Sequence, residues 1–158
     1  MSKRIFSGMM MLLALFCGLE AKAAQAYALW CEGNKTVYYV YGETAYAAGG
    51  TYDGQTITQV VEGGRLFYWI NEEEGEYFLA EGPRLNAERV VIDASFKDFK
   101  PTDCSIWFEG MEKLTTIVGI KNFNTSEAKS LNYMFNYSMY YNLYDVYVRL
   151  FLMDDLTF

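Results

Sequence analysis

Between residues 114 and 135 the apolar positions change period partway along. Leu114, Ile117 and Gly119, followed by Asn122, fall at the spacing L-x-x-L-x-L-x-x-N, with glycine in the third apolar slot. That spacing predicts a short strand whose alternate side chains point inward. An Asn124-Thr125-Ser126 loop follows, and then Ala128, Leu131, Met134 and Phe135 lie three or four positions apart. These four predict one face of a helix beginning near Ser126, a favourable N-cap residue. One strand and one short helix cannot bury both faces alone, so the pattern requires neighbours.

The neighbours are in the sequence. The gapless shift that pairs Leu114 with Ala87 also pairs Ile117 with Val90, Gly119 with Ile92 and Asn122 with Ser95. The same shift pairs Phe123 with Phe96, Leu131 with Cys104, Met134 with Trp107 and Phe135 with Phe108. After a slightly longer interval, Leu143, Val146 and Val148 restate the strand downstream. Strands are therefore expected at 90–92, 117–119 and 146–148, adjacent and parallel. Self-similarity at this period is that of a leucine-rich repeat, whose minimum of roughly three units is just met. Pro101-Thr102-Asp103 is expected to open a short helix carrying Cys104, Trp107 and Phe108 inward, with Gly110 ending it. The third unit departs from the pattern: Phe151 stands where Asn122 stood, and no second half follows.

Residues 27–80 show strands and tight turns with no helical period. The aromatic and β-branched runs 27–31 and 36–41, separated by Glu-Gly-Asn-Lys, predict a hairpin. Gly49-Gly50 and Asp53-Gly54 mark turns, 56–61 reads as a strand, and 65–70 with 76–80 flank a second hairpin loop. This half reads as an antiparallel unit capping the first repeat edge, with the seam at Gly82-Pro83. The expected fold is α+β: an N-terminal antiparallel β unit (24–83), then a short leucine-rich-repeat-like β/α solenoid of about three coils (84–158), the last incomplete.

Before these units, Lys3 and Arg4 precede an apolar run over 5–19, and Ala21-Lys22-Ala23 supplies a small-x-small cleavage pattern. The run is short for a permanent span, so 1–23 reads as a signal peptide and the protein as exported, without a transmembrane anchor. Phe16 before Cys17 is too bulky for a lipoprotein cleavage site. Removal of 1–23 leaves ten basic and nineteen acidic residues, a net charge of −9. That charge argues against nucleic-acid partners and anionic membranes.

Of the two cysteines that remain, Cys104 occupies the slot filled by Leu131 one repeat later. Both read as small buried apolar residues rather than as a bridge. The sequence contains no histidine, which removes the commonest general base and any Ser-His or Cys-His pair. The acidic runs at 72–74 and 154–155 read as solvated turns, and no glycine-rich phosphate loop precedes a helix. No catalytic residue, metal site or cofactor is implied. The three Asn-x-Ser/Thr triplets, at Asn34, Asn124 and Asn136, read as loop chemistry rather than glycan acceptors.

The segments Ala94-Ser95-Phe96-Lys97-Asp98, Lys100-Pro101-Thr102, Trp107-Phe108-Glu109-Gly110-Met111, Leu114-Thr115-Thr116-Ile117 and Asn124-Thr125-Ser126, with Met134-Phe135, resemble the BspA-like leucine-rich-repeat surface proteins of gut and oral bacteria. The resemblance covers about 90–135. It implies surface display or secretion and binding to a protein partner, such as a host extracellular-matrix or other surface protein. After Phe135 the chain reads Asn136-Tyr137-Ser138-Met139, where family members usually continue with a Gly-Cys-Ser turn and further repeats.

If Val90 and Ile92 point inward, their neighbours point outward. The expected partner-binding face is therefore Arg89, Val91 and Asp93, then Thr116, Val118 and Ile120, then Asp145, Tyr147 and Arg149. Its row of Val91, Val118 and Tyr147 is an apolar centre with a polar rim. A cover over this face by the N-terminal unit or the C-terminal tail is the competing expectation. Two rival functions remain open. One is a carbohydrate-binding module, since 14 Tyr, 11 Phe and 3 Trp offer rings for sugar stacking. The other is a truncated fragment of a longer surface protein.

Overall fold

The computed structural model describes residues 23–63, 82–135 and 138. The β1–β2 hairpin forms as its sequence requires. Strand β1 (Gln25–Cys31) pairs antiparallel with β2 (Thr36–Gly42), with Cys31 opposite Thr36. A 3-10 turn over Glu32–Asn34 and a left-handed Lys35 (φ 52°) close the loop. Next come β3 (Thr51–Tyr52) and β4 (Gln55–Thr56), joined through Asp53 and Gly54, both at positive φ. Two consecutive left-handed residues make the turn whose twist suits so short a hairpin.

The strand expected over 56–61 is divided. Ile57 leaves the ladder, is buried, and exchanges backbone hydrogen bonds with Gly49 and Gly50. Only β5 (Gln59–Glu62) then joins β1, antiparallel. After a short helix α1 (Pro83–Asn86), β6 (Arg89–Ile92) pairs parallel with β2, and β7 (Thr116–Val118) pairs parallel with β6. The sheet order is β5-β1-β2-β6-β7. Its hydrogen bonding runs unbroken from the N-terminal hairpin into the repeats.

This architecture overturns the α+β solenoid. The described chain is mostly sheet, one five-stranded mixed sheet with hardly any helix. The repeat register itself is present, with Val90 opposite Ile117 and Val91 opposite Val118. The helices are not. At 104–108 the backbone N–H groups of Cys104, Ile106 and Phe108 donate to the carbonyls of Ser130, Asn132 and Met134, at 2.9, 3.0 and 2.8 Å. Donors committed to the neighbouring segment at every second residue cannot close helical turns within their own. The corners are set by Ile106 and Tyr133, which occupy the same slot in successive repeats and are both left-handed (φ 56° and 57°). The expected strand at 146–148 and the hairpin at 65–80 lie outside the described residues.

The sheet separates two apolar clusters. On the first face Ala26, Ala28, Trp30, Val37, Tyr39, Val90 and Ile92 pack against Phe96, Cys104, Trp107, Phe108, Met111, Phe123 and Phe135. The expected burial of Trp107 and Phe135 holds, at 4% and 5% exposure. Aromatic rings dominate: Trp107 meets Phe123 edge-on at 4.5 Å, and Phe108 stacks on Phe135 at 4.9 Å. The second face carries Tyr27, Leu29, Cys31, Tyr38 and Val40, closed by Ile57 with Tyr46, Tyr52 and Val60. Cys31 and Cys104 are free thiols buried in different clusters, on opposite sides of the sheet. The unbridged reading therefore holds.

Candidate partner-binding face

On the second face one row of side chains crosses all five strands. Val60 stands opposite Leu29, Leu29 opposite Tyr38, Tyr38 opposite Val91, and Val91 opposite Val118. Leu29 and Tyr38 are buried, Val91 is half-buried, and Val118 is 39% exposed. The gradient follows from what covers the row. The segment carrying β3 and β4 folds back over β1 and β2, where Tyr52 meets Tyr38 and Tyr46 edge-on at 5.0 and 5.7 Å, and Tyr46 meets Tyr27 at 5.2 Å. Edge-to-face rings are the favoured aromatic geometry, so this cover is a packed layer. It reaches Val91 but leaves Val118 in contact with solvent.

The nine residues expected on this face meet different fates. Arg89 is exposed beside half-buried Thr116, its partner across the parallel ladder. Val91 and Val118 form the apolar row. Asp93 caps the 3-10 turn over Ala94–Asp98: its carboxylate accepts from the Ser95 N–H at 2.9 Å and the Ser95 hydroxyl at 2.6 Å. The Ser95 hydroxyl oxygen in turn accepts the Tyr41 N–H at 3.1 Å, tying the end of β6 to β2. Burial acts to raise the Asp93 pKa, but hydrogen bonds from Ser95, Tyr52 and the Ala94 N–H outweigh it and hold the carboxyl below its ordinary value.

Ile120 packs against the first cluster. Gly119, left-handed at φ 75°, ends the strand before it and breaks the alternation that put Ile120 outward. A Cβ on Gly119 would lie 2.2 Å from the Ile92 carbonyl oxygen, which also accepts a 2.8 Å hydrogen bond from Asn122. The slot expected to hold an inward apolar residue is thus a point of close backbone approach. Asp145, Tyr147 and Arg149 lie outside the described residues.

Two features escaped the sequence reading. Arg84 is buried in α1, donates to the Ile106 carbonyl at 3.3 Å and lies 4.0 Å from the Glu109 carboxylate. No periodicity marks it, because it is a charged residue in an apolar setting. The second was legible in hindsight. Asp93, Asp103 and Asn124 each accept the N–H of the serine two positions on, at 2.9, 2.8 and 3.1 Å. The recurring Asx-x-Ser triplet is therefore a turn device. Asn124 also donates to the Lys97 carbonyl at 2.9 Å, which agrees with loop chemistry at that triplet.

A row of exposed tyrosines would favour sugar stacking. Tyr38 and Tyr39 are buried, Tyr41 lies against Phe99, and Tyr46 and Tyr52 pack on other rings. Only Tyr133, at 69% exposure, stands clear among the described tyrosines. Among the described residues no three His, Cys, Asp or Glu side chains converge as metal ligands. No described helix is long and apolar enough to cross a membrane. No protein-family model, curated protein or solved structure matches the chain.

Proposed function

We propose that the chain is an exported bacterial surface or secreted protein that binds another protein through the β6–β7 part of the second face. One observation carries the reading: among the described residues, the cross-strand row emerges from beneath its tyrosine cover and ends at an exposed valine, flanked by Arg89 and Thr116. An apolar centre with a polar rim is the ordinary anatomy of a protein-recognition patch. The basic n-region and apolar run of 1–23 support export, and the resemblance of 90–135 to BspA-like surface proteins supports display and adhesion. The absence of histidine from the sequence favours binding over catalysis.

The test is a binding screen of protein starting at Ala24 against extracellular-matrix proteins, with a glycan array as the competing arm. For a protein that binds, Val118→Asp is expected to weaken affinity at least tenfold while the melting temperature stays within a few degrees. Undiminished binding by a folded Val118→Asp protein overturns the assignment, as does binding confined to glycans.

A further inference from the structure

We draw no further inference here: the strongest candidate, the edge at Thr116–Val118 where the cross-strand row ends among the described residues, belongs to the face already described, and nothing in the structure shows what covers it.

Discussion

Phe108 and Phe135, one repeat apart in the chain, lie almost parallel with ring centres 4.9 Å apart and an interplanar angle of 21°. They are rungs of an aromatic ladder that also sets Phe96 beside Phe123 at 6.2 Å, again at equivalent slots of successive repeats. Among the described residues, where helix is scarce and strands are short, these rings tie successive repeats together within the first cluster.

Trp107 is a ring whose loss is expected to be costly. It touches Phe123, Tyr39 and Phe96 within one cluster. Truncation of a buried Trp to Ala removes its transfer energy and leaves a cavity, together about 3–5 kcal/mol. Chemical denaturation of Trp107→Ala should show a loss of that size. A loss below about 1 kcal/mol would place Trp107 outside the core.

Gly119 separates two costs. At Gly49, φ is +85° but nothing lies within 4 Å of an added Cβ, so Gly49→Ala should cost only the left-handed penalty, about 1–2 kcal/mol. At Gly119 the same penalty is joined by a clash at 2.2 Å with the Ile92 carbonyl. Gly119→Ala should therefore destabilise clearly more than Gly49→Ala. Equal melting temperatures for the two variants would refute the close approach.

The two thiols should be inert in the folded protein. Burial, with a smaller contribution from Asp53, pushes the Cys31 thiol up. Burial, aided by Asp103, pushes the Cys104 thiol up to about 12. Thiolate is the reacting form, so a thiol-specific reagent at pH 8 should label neither residue until denaturant is added. Mass spectrometry of the protein starting at Ala24 should find two free thiols. An intramolecular bridge would contradict their placement on opposite sides of the sheet.

Asp93 sets an acid limit. Its folded pKa lies below the unfolded value of about 3.9. The stability it contributes is thus fully present above that value and is lost as pH falls through the folded pKa. Asp93→Asn should lower the melting temperature at pH 7, and the gap to the wild type should narrow below about pH 4. A gap that stays constant down to pH 2.5 would show that the charged form of Asp93 is not what the turn holds.

Much of the sheet could be read from the chain, for reasons tied to particular residues. The aromatic and β-branched runs 27–31 and 36–41, with the Glu-Gly-Asn-Lys loop between them, specify the β1–β2 hairpin, and the gapless repeat match specifies Val90 opposite Ile117. The helix reading failed because Cys104, Trp107 and Phe108 satisfy a 3.6 period while being placed by a left-handed corner at Ile106. Apolar spacing records which side chains turn inward, not where the backbone donors go. The cap on the first repeat edge was expected, but that β2 supplies it by parallel pairing with β6 left no trace, because a contact between unlike segments carries no internal similarity. At the candidate face, Val91 and Val118 were legible from alternation. Ile120 was misplaced because Gly119 fills a slot that resembles an apolar one.

The parallel seam between β2 and β6 bears on the order of folding. Thr36 meets Arg89 only after a long stretch of intervening chain, whereas Cys31 meets Thr36 across a short loop. Loop-closure entropy therefore favours the hairpin as the first structure to form, with β6 and then β7 added to its free edge. A chain delivered N-terminus first would make that template well before its complement arrives. An exposed β2 edge in this interval is a point where a holding chaperone, or a second nascent copy, would compete for the register that β6 finally takes.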